Sequence, residues 1–189
     1  FHCMGWLLNT RAHITVNTRV FDREFDSVLS FAETVLGGQD DERADALIVA
    51  DLGVARAIKT EFPDAILHAS TQTSMLSPSD CKALDALGFS RRVVPREMSL
   101  DEIRSLVSQS PIEIEMFIHG AHCVSCSGQC LMSFVMGGRS GNRGECAQPC
   151  RLAWNLEDEN GHTLINSRHL LSLRDLNNSG NIEELIDAG

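Results

Sequence analysis

The chain switches repeatedly between two hydrophobic periods. Residues 14–18 form a short β-rich run. Over 22–36 the apolar residues Phe25, Val28, Leu29, Ala32 and Leu36 recur at helical spacing, and Gly37-Gly38 closes the segment. Residues 39–45 are a charged loop. Residues 46–50 read as a continuous apolar strand, and a helix over 54–61 stops before Pro63. A strand is expected over 66–72, a helix over 79–87 ended by Gly88, and a short strand over 92–94. The capping box Ser99-Leu100-Asp101-Glu102 opens a helix that runs through Val107. Residues 112–118 are the last clear strand. Over 119–151 the period is lost among Gly, Cys, Ser and Arg. Residues 154–164 read as a hairpin turning at Asn160-Gly161, and 181–188 as a further helix.

Strands alternating with helices predict an α/β fold with a parallel sheet and helical crossovers. Five such strands fit a piece of a barrel or of an open doubly wound sheet. No Gly-x-Gly-x-x-Gly follows a strand, and no phosphate loop is present, so dinucleotide and P-loop nucleotide sites lack their signatures.

The strand at 112–119 alternates strictly. Ile112, Ile114, Met116 and Ile118 share one face; Glu113, Glu115, Phe117 and His119 share the other. With the apolar face against helices, Glu115 and His119 face the barrel interior near the strand's C-terminal end, where such folds place chemistry. The alternative is an edge strand with its polar face in water. Asn17, Asp51, Ser70, Thr71, Gln72 and Glu97 also follow strand ends. They are candidate substrate contacts, or else caps and turn residues.

The 189 residues carry 16 Lys+Arg against 26 Asp+Glu, a formal net charge of -10. That balance disfavours broad, non-specific nucleic-acid binding, so any RNA contact is local. No apolar run approaches the ~18 residues of a membrane span. The Met4–Leu8 stretch is too short for a signal-peptide core. A cytoplasmic protein is the expectation.

Seven cysteines cannot all pair within one chain. Cys123, Cys126, Cys130, Cys146 and Cys150 fall within 28 residues. Clustered thiols of this kind hold zinc or an iron–sulfur cluster, but neither the zinc-ribbon nor the ferredoxin spacing is met. Buried free thiols or a local disulfide are the alternatives. Cys3 and Cys81 stand apart, and Cys81 reads as packing. The glycine-rich run 137–144 could wrap an anion, with Arg139 and Arg143 binding carboxylate or phosphate bidentately, or pairing with surface acids.

The blocks Glu115-Met116-Phe117-Ile118-His119-Gly120-Ala121-His122-Cys123 and Val124-Ser125-Cys126-Ser127-Gly128-Gln129-Cys130, continuing through Gly138-Arg139-Ser140-Gly141-Asn142-Arg143-Gly144-Glu145-Cys146 to Cys150, resemble the collagenase-like peptidase family. So do Ala46-Leu47-Ile48-Val49-Ala50-Asp51-Leu52-Gly53, His68-Ala69-Ser70-Thr71-Gln72 and Arg92-Val93-Val94-Pro95-Arg96-Glu97. The resemblance runs from about Ile14 to the C-terminus, whereas residues 1–13 do not share it.

The resemblance implies an incomplete TIM-type (β/α) barrel. Residues 1–118 would be strands three to seven, 119–156 a Cys-rich insertion, and 157–189 a return towards the last strand. Both exposed barrel edges would invite homo- or hetero-oligomers. Other members resemble factors for oxygen-independent hydroxylation of RNA bases or of the ubiquinone ring, some holding a four-iron cluster on cysteines. This implies Cys123, Cys130 and Cys146 as ligands. The usual fourth cysteine follows a Ser-Leu-Lys-Asp-Leu stretch; here Ser172-Leu173-Arg174-Asp175-Leu176 is followed by Asn177. Cys150 or Cys126 is the substitute.

The leading expectation is an iron–sulfur-dependent hydroxylation factor acting on a tRNA or rRNA base, with Glu115 and His119 as acid/base or positioning groups. A peptidase acting on a peptide substrate is the first alternative; Cys123 or a metal-bound water would be its nucleophile. A zinc-binding structural or assembly module without catalysis is the second.

Overall fold

The computed structural model describes residues 10–38, 43–127 and 129–189. Cys3, the 4–8 run, most of the 39–45 loop and Gly128 lie outside the described residues.

Five parallel strands form one sheet: β1 (His13–Val16), β2 (Ala46–Val49), β3 (Leu67–Ala69), β4 (Phe89–Val93) and β5 (Glu113–Glu115). Their spatial order is their sequence order. Four helices connect them: α1 (Phe25–Leu36), α2 (Leu52–Glu61), α3 (Pro78–Ala86) and α4 (Leu100–Val107). Ala32, Val54, Leu84 and Leu106, one from each helix, share a single core with Leu47, Val49, Leu67 and Ala69, so the helices pack on one face of the sheet, as crossovers of one hand between sequential neighbours require. A doubly wound sheet requires a reversal of strand order, and these five strands have none.

The helix starts follow local chemistry. Asp51 caps α2 by accepting from Gly53 N and Val54 N. Ser77 and Asp80 form a capping box on α3, with Pro78 inside the first turn. Ser99 and Glu102 form the box expected on α4. The core lies between these helices and the sheet. Leu47, Leu67, Leu84, Leu106 and Ile58 are fully buried there, each contributing about 2 kcal/mol of apolar burial.

Two departures from the expected pattern matter for the site. The β3–β4 register shifts between Leu67↔Phe89 and His68↔Arg91, so Ser90 is an extra residue, a bulge. Phe89 stays in the helix-side core while Arg91 turns to the opposite face and Arg92 turns back under α3. Arg92 is fully buried there, donating to Ser77 O and Cys81 Sγ, both at 3.3 Å. Cys81 is buried packing, as expected.

The second departure concerns the strand expected over 112–118. β5 ends at Glu115, and β6 (His119–Gly120) belongs to another sheet, antiparallel to β9 (Leu176–Asn177). His119 therefore does not continue the face that carries Glu115. Beyond it come α5 (Met132–Gly137), the hairpin β7 (Trp154–Glu157) and β8 (Thr163–Arg168), and α6 (Ile182–Asp187). The hairpin lies where Asn160-Gly161 predicted it, with Gly161 at φ 82. It runs across residue 156, the expected limit of the Cys-rich segment. Among the described residues no helix is long and apolar enough to cross a membrane.

Candidate functional site

The sheet face away from the helices carries a row that is polar on four of its five strands. Thr15, Ile48, His68, Arg91 and Glu113 are register neighbours across all five strands. Arg91 bridges Glu113 at 2.7 Å and Glu115 at 3.0 Å. The Arg91 hydrogen bond and charge hold the Glu113 carboxyl below the usual carboxylate range. His68 is 4% exposed and meets His13 edge-on at 4.8 Å between ring centroids. Burial pushes its pKa down to about 4, helped by Arg91 and His13 and opposed by Glu115 and Glu113. Its ring is neutral at pH 7.

The cysteine segment docks at the C-terminal ends of the same strands. Glu97, four residues past β4, accepts from Ser127 N at 2.9 Å and Ser127 Oγ at 3.1 Å. Burial raises the Glu97 pKa, but the donors of Ser127 and the Cys126 thiol outweigh it, and the net shift is downward. The same contact, with burial, pushes the Cys126 thiol up. Ser74, past β3, donates to Ser127 O at 2.7 Å and accepts from Gln129 Nε2 at 2.7 Å. It does so from a left-handed backbone, φ 56, which costs a non-glycine residue about 1 kcal/mol. That strain is offset by the tie it makes to the cysteine segment.

The glycine-rich run docks at the end of β1. Arg143 grips Glu24 bidentately at 2.7 and 3.0 Å and donates to Arg19 O at 2.8 Å. Arg19 N donates to Asn142 O at 3.1 Å. Gly144, at φ +80, would bring a Cβ within 3.2 Å of Thr18 Cγ2, so a side chain there would be strained in its backbone and crowded against Thr18. Arg143 thus pairs with an acid of this chain. Arg139 uses Nε on Glu145 O at 3.0 Å.

A third anchor was not foreseen from the sequence. Arg151 donates to His122 O at 2.8 Å, to Ser172 Oγ at 2.9 Å and, closely, to Leu173 O. It ties the start of the cysteine segment to the 172–175 stretch. Asn177 pairs in register with His119. The position that the family resemblance assigns to a fourth cysteine thus lies beside the root of the cysteine segment.

Asn17 lines a cleft of about 480 Å³ with Thr15, Thr18, Glu24 and Arg143. Gln72 sits in a 3-10 turn, its carbonyl accepting from Arg19 Nη2 at 3.4 Å. Asp51 is committed to capping α2. Cys123, Cys126 and Cys146 are exposed; Cys130 and Cys150 are half-buried.

Two thiols already receive backbone donors: Met132 N to Cys130 Sγ and Gln148 N to Cys146 Sγ, each at 3.4 Å. Backbone N–H···S contacts of this kind also surround the cysteine sulfurs that ligate iron–sulfur clusters. Gly141 packs beside both cysteines: a Cβ there would sit 3.5 Å from Cys146 Cβ, 3.7 Å from Cys130 O and 3.8 Å from Cys146 Sγ. The donor chemistry fits a thiolate-ligated group. Among the described residues, no three His, Cys, Asp or Glu stand together as a preformed metal site.

Beside Glu97, Arg96 stacks on Phe117, its Cζ 3.8 Å from the ring centroid. Phe117 is 37% exposed.

Comparison with known proteins places this architecture. The chain is 40% identical over 176 residues to the 23S rRNA 5-hydroxycytidine C2501 synthase of Escherichia coli (strain K12), covering 93% of this chain and 26% of that protein. It is 31% identical over 191 residues to the tRNA hydroxylation protein P of Helicobacter pylori (strain ATCC 700392 / 26695), covering 96% of this chain and 44% of that protein. The chain thus spans less than half the length of these relatives. The solved structure described as the U32 peptidase Mk0906 shares the fold at TM-score 0.57 and 12% identity, over 90% of this chain and 70% of that one. The profile of peptidase family U32 matches residues 7–189, and the chain belongs to that family.

Proposed function

We propose that this chain is the working core of an RNA-base hydroxylation factor and that its sheet is an arc of a closed (β/α) barrel. Sequential parallel order with all helices on one side supports the barrel. The observation that carries the function is the seating of the cysteine segment on Glu97, at the strand ends where such folds bind substrate. It occurs in a chain 40% identical to a protein named as an rRNA 5-hydroxycytidine synthase.

Cys123, Cys130 and Cys146, with Cys150 or Cys126, would hold an iron–sulfur cluster. Bound there, it supplies the electron transfer that no side chain offers alone. The chain's own residues do the rest. Glu97, Ser74 and Arg143 seat the thiol segments over the strand ends, and Arg91 holds Glu115 in one orientation.

The test is nucleoside mass spectrometry of tRNA and rRNA from cells with and without the gene, with metal analysis of the full-length protein purified without oxygen. Loss of one hydroxylated base, restored by the wild type and not by Cys130→Ala, is the expected result. Unchanged RNA together with peptide cleavage overturns the reading in favour of a peptidase. Unchanged RNA with one zinc and no turnover overturns it in favour of a structural module.

A further inference from the structure

We infer that the Arg96–Phe117 stack is the platform on which an unstacked nucleobase of the substrate lies; this rests on the RNA reading above. Arg96 and Phe117 follow the C-terminal ends of β4 and β5, adjacent strands of the sheet. Ligands of parallel sheets bind at that end. The residue next to Arg96 is Glu97, which seats Ser127 and contacts the Cys126 thiol. The platform therefore adjoins the cysteine segment.

The state of the guanidinium points to a ligand. Other arginines at this end of the sheet are engaged: Arg19 on Gln72 O, Arg143 on Glu24, Arg151 on His122 O. Arg96 has no hydrogen bond or ion pair among the described residues, in a chain of net charge -10, and its Nε is shielded from solvent without a partner. Stacking on Phe117 is the contact that holds it. An arginine so held presents a flat face and a set of in-plane donors. A nucleobase matches both, with a π-face for stacking and ring carbonyl and nitrogen acceptors at its edge. Phe117, partly open beneath, widens the same surface. An acidic chain binds RNA through such a local contact rather than through a basic surface.

The test is binding of the full-length protein to two short RNA stem-loops. They are identical except that one carries an unpaired cytidine in the loop and the other an abasic site there. Wild type is expected to prefer the cytidine stem-loop roughly tenfold, the scale of one base–side-chain stack. Arg96→Lys keeps the charge and removes the plane, and Phe117→Leu removes the ring. Each is expected to bring the preference close to one while leaving affinity for the abasic stem-loop unchanged. Arg96→Ala, which also removes the plane, takes its place if Arg96→Lys does not fold, with the same expected loss of preference. A wild-type preference that all the variants retain overturns the platform and leaves the RNA reading standing. A wild type that binds neither stem-loop overturns the RNA reading itself.

Discussion

The Glu97 carboxylate takes both the backbone N–H and the hydroxyl of Ser127, at 2.9 and 3.1 Å, across 30 residues of chain. This fork joins the end of β4 to the cysteine segment and also sets the state of a neighbouring thiol. Because Glu97 faces Cys126, it holds that thiol protonated at higher pH than usual. Glu97→Gln is expected to speed alkylation of Cys126 by iodoacetamide at pH 8 several-fold. Thiol mass spectrometry checks this, with buried Cys81 as the unreactive internal control. An unchanged rate would mean that the carboxylate does not govern the thiol.

Seating of the segment should also fail in acid. The Glu97 pKa lies below its ordinary 4.5 in the folded chain, so its contribution is complete above about pH 4.5 and is lost as pH falls through the lower folded value. Limited proteolysis between 123 and 130 is expected to appear only below pH 4.5 in the wild type and already at pH 7 in Glu97→Ala. Truncating the fork leaves the Ser127 N–H unpaired, at a cost of about 2 kcal/mol.

His68 works in the opposite range. Its folded pKa is about 4 against an ordinary 6.5, so between these values the unfolded chain binds the proton and the folded chain does not. Stability should therefore fall as pH drops from 6.5 towards 4, by roughly 3 kcal/mol. Urea midpoints at pH 7 and 5 measure it, and His68→Gln should flatten the difference.

Arg143 is expected to hold the glycine-rich run rather than to bind substrate. Arg143→Ala should expose the 137–144 run to protease and lower Tm slightly. RNA affinity per molecule of folded protein should stay unchanged. Glu24→Gln should reproduce the effect, since its carboxylate is the partner.

Reconstitution with iron and sulfide separates the thiols. Cys130→Ser and Cys146→Ser, the two that accept backbone N–H groups, should each abolish absorbance near 400 nm. Cys81→Ser should leave it intact. Equal loading of all three variants would exclude the cluster from this segment.

The strand–helix alternation, the capping box at Ser99 and the Asn160-Gly161 hairpin were legible in the sequence; Asp51, expected as a substrate contact or a cap, is a cap, and the Ser77 box, two residues ahead of the expected helix start, came only from the structure. Periodicity and capping act over a few residues, so the residues involved are near neighbours in the chain. The family was legible for the same reason: each block of its signature is a run of consecutive residues. The tertiary structure alone decided the bulge at Ser90, which sends Arg91 to the face away from the helices and buries Arg92. It also ended the strand carrying Glu115 before His119, because β6 finds a partner at Leu176–Asn177 and not in the main sheet. The fork of Glu97, the grip of Arg143 on Glu24 and the hub at Arg151 likewise join residues 20 to 120 positions apart. No local pattern encodes such a contact. A charged side chain's partner is whichever acceptor the packed core brings within reach, and that is settled only when the sheet has formed.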